Sequence, residues 1–350
     1  MKLFLEFERL RELNSGLGQV CWRLGQSLAR LLPSETSVFC WAPKKQDGLF
    51  GQQFQYIVVQ YSGIKKFFVL RKKYDVWHCL HQDSKFLPLN SHSKLILTVH
   101  DLNFLSEHHL NDEKICARLG RLQRKIDRAD IIVTISHYTK KVLEENLNVK
   151  NKRVEVIYNG CSMSEQSEPE MPSFAPAGDF LFSIGSIASR KNLHVLLPLM
   201  QKLPGISLVM AGSYAAEGDY YRALQQQIRD LNLADRVMMP GAISEAEKVW
   251  LYQRCCGLVF PSLLEGFGLP IVEAMYFGQP VFLSTSTSLP EVGGDAAYYW
   301  ENFDADSMAQ VVRQGLTCHN AARVALCKKQ AAKFSWQNAA QKYMQLYRDL

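Results

Sequence analysis

The stretch Pro261-Ser262-Leu263-Leu264-Glu265-Gly266-Phe267-Gly268-Leu269-Pro270-Ile271-Val272-Glu273-Ala274-Met275-Tyr276-Phe277-Gly278-Gln279-Pro280 holds a strand end, a glycine turn and a helix. The apolar run 258–260 stops at Pro261. A loop follows with Glu265 and two glycines, and a helix opens with Pro270 in its first turn and ends at Gly278. Proline inside the start of a helix and glycine just past its end is the asymmetry that helices favour. Glycines let backbone N–H groups come close to a ligand, and the helix N-terminus adds the positive end of its dipole. Gly266, Phe267, Gly268 and Leu269 therefore read as a seat for a phosphate or diphosphate.

Two carboxylates frame this seat, Glu265 before it and Glu273 one turn into the helix. Carboxylates repel phosphate, so both suit hydroxyl groups on either side of it. A diphosphate flanked by sugar hydroxyls is a nucleotide-sugar. Taken singly, either glutamate is as easily a solvated residue; the pair around the glycines carries the reading.

The same strand–turn–helix rhythm extends outward. Apolar runs at 180–184, 207–210, 237–239, 258–260, 281–283 and 297–300 each end in Gly, Ser or Pro, and amphipathic segments such as 220–231 and 244–254 lie between them. Strands alternating with helices make βαβ units and a parallel sheet. Residues 1–161 repeat the scheme more loosely, with strands expected at 3–7, 38–41, 55–59, 76–79, 95–99, 131–135 and 154–157. Residues 162–178, rich in Ser, Glu and Pro, read as a linker to a second domain at 179–335. The amphipathic segment 336–350 is expected to pack back on the first domain. The fold class is α/β, with two Rossmann-like domains facing across a cleft.

Composition agrees with two cores and excludes several function classes. The 350 residues are 47% hydrophobic and 21% charged, which rules out a disordered chain or a disulfide scaffold. No apolar run approaches the ~18 residues of a membrane span, and the glutamates at 6 and 8 interrupt any secretory apolar core. Nine scattered cysteines without a C-x-x-C argue for a reducing compartment and against a zinc site. These features imply a cytoplasmic chain. Residues 1–160 carry 25 Lys and Arg against 16 Asp and Glu, a surplus of +9, whereas the remainder has 15 against 18. That asymmetry points to an anionic partner for the first half: a lipid surface, a phosphorylated acceptor or nucleic acid.

The motif Glu265-x7-Glu273 within E-G-F-G-L-P-x-x-E-A-M resembles the signature of retaining glycosyltransferase family 4, of the GT-B fold. Gly185-Ser186 with Arg190-Lys191-Asn192, Ala211-Gly212-Ser213, Pro240-Gly241-Ala242-Ile243-Ser244 and Leu289-Pro290-Glu291-Val292-Gly293-Gly294-Asp295 are similar to family elements in order. In the first half, Thr98-Val99-His100-Asp101-Leu102, Ile135-Ser136-His137 and Tyr158-Asn159-Gly160 fit the same pattern. The resemblance implies that the second domain binds the nucleotide-sugar donor and the first binds the acceptor. Glu265 would meet the donor sugar's hydroxyls and Glu273 the ribose. Arg190 and Lys191 would neutralise the departing diphosphate; backbone at Gly241–Ile243 would face the base, and His100 would contact the transferred sugar. It also implies chemistry without metal or cofactor, with retention by front-face attack in which the leaving phosphate takes the acceptor proton.

Other signals divide between chemistry and structure. Gly16 and Gly18 follow the first strand and fail the G-x-G-x-x-G fingerprint, since Cys21 stands where glycine is needed. They read either as a loop offering amides to the donor's phosphates, as the family implies, or as an ordinary strand-to-helix turn. His78-x-x-His81 with Asp83 reads as structural, and Asp304-Ala305-Asp306 reads as a helix cap rather than a metal-binding D-x-D. Lys114, Arg118, Arg121, Lys125 and Arg128 share one helical face; with Lys65-Lys66 and Arg71-Lys72-Lys73 they form either a solvated surface or one that docks on anionic lipid. No nucleic-acid module accompanies the charge. The expected activity is hexosyl transfer onto a glycan or lipid-linked acceptor in cell-envelope polysaccharide or lipopolysaccharide assembly, peripheral to the inner membrane. Two alternatives stand beside it: a soluble enzyme acting on a small sugar or glucan, and a non-catalytic nucleotide-sugar-binding subunit.

Overall fold

Branched and aromatic runs too apolar for a half-exposed strand form two parallel sheets. In a parallel sheet helices cover both faces, so continuous burial replaces alternation: all four residues of Val76–Cys79 and of Gly257–Phe260 are buried. The computed structural model describes residues 1–13, 15–57, 69–106, 111–163, 168–214 and 218–350. They divide into two compact units, Met1–Ser162 with Phe334–Leu350, and Met163–Lys333.

The first unit's strands are β1 (Lys2–Glu6), β2 (Ser37–Trp41), β3 (Phe54–Ile57), β4 (Val76–Cys79), β5 (Lys94–Val99), β6 (Ile131–Thr134) and β7 (Arg153–Val156). They lie in the order β3-β2-β1-β4-β5-β6-β7. The order reverses between β1 and β4, which are hydrogen-bonded neighbours with Leu3 opposite Val76. Helices α1 (Gly16–Leu31), α2 (Asp112–Arg128) and α3 (His137–Asn146) are each capped by a side chain, from Ser15, Asn111 and Ser136. Such caps satisfy amides that a helix start leaves without a carbonyl. Of the strand expected at 55–59, residues 58 and 59 lie outside the described residues, as do Lys65-Lys66 and residues 164–167 of the expected linker.

The second unit contains β8 (Phe180–Ile184), β9 (Ser207–Ala211), β10 (Val237–Gly241), β11 (Gly257–Phe260), β12 (Val281–Ser284) and β13 (Tyr298–Trp300), in the order β10-β9-β8-β11-β12-β13. Its helices are α4 (Leu196–Lys202), α5 (Asp219–Asp230), α6 (Glu245–Arg254), α7 (Leu269–Tyr276), α8 (Leu289–Gly293), α9 (Ala305–Thr317) and α10 (Ala321–Ala332). Residues 168–178 fall within this unit, where the amide of Glu170 donates to the carbonyl of Ala246.

The last helix, α11 (Trp336–Arg348), packs on α1 in the first unit. Its apolar stripe brings two tyrosines to a buried polar chain: Tyr347 Oη lies 2.8 Å from His78 Nδ1, His78 Nε2 2.8 Å from Thr98 Oγ1, and Thr98 Oγ1 3.2 Å from Tyr343 Oη. His78 is thus structural, and burial pushes its imidazole down to about 3.

The single basic face expected on α2 does not hold along its length. Lys114, Arg121 and Arg124 are exposed, but Lys125 donates to the carbonyl of Gln82 at 2.5 Å. Arg128 donates to the carbonyls of Asn90 and Ser93 at 3.0 and 2.8 Å. Two cations that spacing assigns to solvent are used to close loops.

Candidate functional site

In a doubly wound sheet, ligands bind beyond the carboxyl ends of the strands where the order reverses. In the second unit that point lies between β8 and β11, and the residues singled out there by sequence gather around it. A small recess is lined by Ser183, Gly185, Lys191, Ala211, Phe260 and Ser262. Gly185 and Gly212 follow adjacent strands with φ of +145° and +144°. A Cβ on Gly212 would collide with the Gly185 carbonyl, so glycine is required for β8 and β9 to end this close together.

Arg190 and Lys191 sit in a short 3-10 turn, Ser189–Lys191, after β8. Lys191 is buried, with its Nζ over the Phe260 ring at 4.8 Å and paired to the Glu265 carboxylate. Burial pushes the Lys191 ammonium down, and the Glu265 charge opposes that shift. Arg190 stays partly exposed; its Nη1 donates to the Leu264 carbonyl at 3.3 Å and stands 3.9 Å from Glu265. The Leu263 amide returns a hydrogen bond to the Arg190 carbonyl at 2.9 Å. The cationic turn and the acidic loop are therefore one laced unit.

The glycine turn is held from behind by residues that sequence reading did not single out. Ser288, fully buried at the start of α8, places its Oγ 3.0 Å from the carbonyls of both Glu265 and Phe267. In a trans peptide the N–H points opposite to the C=O, so this clamp turns the amides of Gly266 and Gly268 away from Ser288. Thr287 Oγ1 accepts from the Glu265 amide at 3.2 Å. Gly268, at φ +103°, makes the left-handed step into α7, with Pro270 in its first turn. The Phe267 side chain is core, so this residue can offer only backbone to a ligand; Leu269 is half-buried.

Glu273 lies in α7 with only 5% exposure. Its Oε2 accepts from Tyr252 Oη at 3.0 Å and its Oε1 is 3.6 Å from Lys248 Nζ. Burial raises its proton affinity, while Lys248 lowers it. Gly241, at φ +85°, ends β10, and Ile243 follows in the loop that leads to the capping box of Ser244 and Glu247 on α6.

In the first unit, His100 lies just past β5. Its Nε2 is 2.7 Å from the Leu80 carbonyl, which fixes that nitrogen as the donor, and its amide donates to Gln82 Oε1 at 3.0 Å. Burial pushes the ring down to about 4, so it is neutral at pH 7. His81 stacks on it at 5.4 Å and accepts at Nδ1 from the Asp83 amide and from Arg9. Glu6, at the end of β1, is buried and pushed up to about 7, chiefly by desolvation and then by Glu8. These groups surround the β1–β4 reversal. The signal that finds them is position: each follows or ends a strand beside the switch point. Gly18 is needed for packing, since a Cβ there would strike the Glu12 carbonyl, and its amide serves the Ser15 cap at 3.0 Å. Gly16 has open space around it.

Asp304 caps α9 by accepting from the Ser307 amide at 3.0 Å. Among the described residues no group of three or more His, Cys, Asp and Glu could hold a metal ion.

Residues 15–165 match the model of Glycosyltransferase Family 4, and residues 167–334 that of Glycosyl transferases group 1. The O-antigen chain mannosyltransferase B of Escherichia coli is 28% identical over 77% of this chain and 73% of its own length. The O-antigen chain mannosyltransferase RfbU of Salmonella typhimurium is 27% identical over 62% of this chain, which spans 59% of the relative. Sucrose-phosphate synthase from Thermosynechococcus elongatus superposes with a TM-score of 0.80 at 19% identity, covering 100% of this chain and 98% of that one. HepE from Anabaena, solved with UDP and glucose, gives 0.77 at 18% identity over the whole of both chains. With these structures the chain shares the GT-B fold of two doubly wound parallel units. The chain belongs to glycosyltransferase family 4 and is a transferase.

Proposed function

We propose that the chain moves a hexose, mannose by likeness to its O-antigen relatives, from a nucleotide-sugar onto a growing cell-envelope polysaccharide. The observation that carries this is the Arg190–Lys191 turn laced to Glu265 on the clamped glycine loop, beside the strand reversal of the second unit. The two cations and the amides turned outward by Ser288 take the place of a divalent ion at the diphosphate. Glu265 and Glu273 accept from sugar and ribose hydroxyls, Gly16 offers its backbone to the phosphates, and His100 meets the transferred sugar as a neutral imidazole. Transfer proceeds with retention: the anomeric C–O bond breaks with its electron pair leaving on phosphate. The acceptor oxygen bonds the anomeric carbon on the same face, and its proton passes to the leaving phosphate.

The test is donor hydrolysis and transfer with GDP-mannose, UDP-glucose and ADP-glucose, with and without EDTA, and the product anomer read by NMR. Hydrolysis of none, or full dependence on a metal, overturns the corresponding part of the reading.

The acceptor half is proposed to rest on anionic lipid through the exposed Lys114, Arg121 and Arg124, at ~1 kcal/mol per basic residue near the surface. Among the described residues no helix is long and apolar enough to cross a membrane. Co-sedimentation with phosphatidylglycerol vesicles but not with phosphatidylcholine vesicles is expected; equal binding to both ends that part of the proposal.

A further inference from the structure

Lysine on a helix ordinarily keeps its ammonium in water. Lys248 does not. It stands on the inner face of α6 beside the buried Val249 and Leu251, with a side chain only 9% exposed. A leucine or methionine would fill that position without burying a charge, so packing alone does not explain the choice. What the ammonium reaches does. Its Nζ lies 2.9 Å from the half-exposed Glu245 carboxylate at the start of α6 and 3.6 Å from Oε1 of the buried Glu273 on α7. Tyr252, one turn further along α6, donates to the other oxygen of Glu273 at 3.0 Å. Lys248 thus ties the helix that follows the Gly241–Ser244 loop to the second acid of the glycine-turn motif.

We propose that Lys248 is a positioning residue for donor binding: its charge holds the Glu273 carboxylate as an ionised acceptor for the ribose hydroxyls, while Tyr252 fixes the carboxylate's orientation. This rests on the reading of Glu273 as the ribose ligand. The ion-pair distance of 3.6 Å leaves Oε1 room to accept from a hydroxyl as well, whereas a carboxyl protonated in this buried site would compete with the ribose as a donor.

The groups acting on Glu273 are few. From α6, Lys248 and Tyr252 favour its ionised form and Glu245 opposes it. From α10, packed against α7, Arg323 is engaged with the carbonyls of Asp295 and Ala296, and Lys328 lies by Gly278. The short α8 contributes Glu291, while β11 and β12 carry no charge.

The experiment measures donor KM and kcat from pH 5.5 to 9 with whichever of GDP-mannose, UDP-glucose or ADP-glucose the wild type hydrolyses. Lys248→Met is expected to raise KM about tenfold at pH 7 with kcat within twofold. That KM should recover as pH rises and Glu273 ionises unaided; Lys248→Arg should restore wild-type behaviour. Glu273→Gln should raise KM at every pH without recovery. A rise in the Glu273→Gln KM with none in Lys248→Met overturns the role of Lys248 alone. An unchanged KM in Glu273→Gln overturns the ribose reading beneath it, and hydrolysis of none of the three donors overturns the donor site itself. Should Lys248→Met fail to fold, Glu245→Gln serves, since it removes the competing carboxylate from the exposed side. It is expected to move the acid limb of the KM profile to lower pH, and an unmoved limb overturns the proposal.

Discussion

The two units share one construction, a doubly wound parallel sheet with its reversal beside the first strand, yet they stock that reversal with opposite chemistry. In the first unit burial pushes the groups at the strand ends towards their neutral forms: His100 and His81 downwards, and Glu6 up to about 7. In the second they are charges held in pairs, Lys191 with Glu265 and Lys248 with Glu273. The same backbone geometry therefore carries groups that burial drives towards neutrality in one unit and paired charges in the other. Fold sets where the site lies, and the side chains set what it binds.

The comparison breaks most sharply at Glu265. Glu265→Gln preserves shape but removes the partner of Lys191, and kcat for donor hydrolysis is expected to fall by about 10²–10³. A loss below tenfold would mean that the second unit's charges serve stability alone. His100→Ala, measured on the same assay, should slow transfer by a larger factor than it weakens donor binding seen by thermal shift.

The next test is acid. His78 and His100 titrate in the unfolded chain near 6.5 and in the folded chain at about 3 and 4, so between these values the unfolded state binds more protons. Stability is present above 6.5 and lost as pH falls, by roughly 3 kcal/mol for each imidazole by pH 4.5. His81 acts in the same direction. Glu6, raised to about 7, acts in the opposite one and offsets about one imidazole. Segment-resolved hydrogen exchange at pH 7 and pH 5 should show β4 and β5 losing protection while β8 and β11 change little. Equal losses would erase the contrast between the units.

Smaller effects sharpen it. Ser288→Ala strips the clamp from the carbonyls of Glu265 and Phe267 and should cost about 1–3 kcal/mol, seen as a lower melting temperature with a raised donor KM. A raised KM without the thermal loss would place Ser288 in direct contact with ligand. Tyr347→Phe leaves His78 Nδ1 without its 2.8 Å partner and should cost about 1 kcal/mol, read from the urea midpoint, with donor binding unchanged.

Much of the strand pattern of both units is legible in the sequence, but the contrast at the strand ends is not. The strand at 180–184 is found with those bounds, and most others fall within a residue or two, because parallel strands buried on both faces announce themselves as unbroken apolar runs. The glycine turn and the helix after it read equally well, since Pro270 and Gly278 mark that helix's start and end. Lys248 and Ser288 escaped for a common reason: each looks like an ordinary surface residue of a helix start, and only the neighbouring element reveals that it is buried. Lys125 and Arg128 misled in the opposite way. Helical spacing put them on a solvated face, but loop carbonyls from residues 82, 90 and 93 come within reach of their long stems. Gly18 resembles a ligand-loop glycine because close backbone approach, here to the Glu12 carbonyl, and a phosphate-binding loop ask for the same small residue.

The return of residues 334–350 to the first unit makes the second an insertion within it. During synthesis the second unit is complete in sequence before the first has received α11. The usual order, in which the N-terminal domain matures first, is inverted: the nascent first unit waits with the surface of α1 uncovered until α11 emerges.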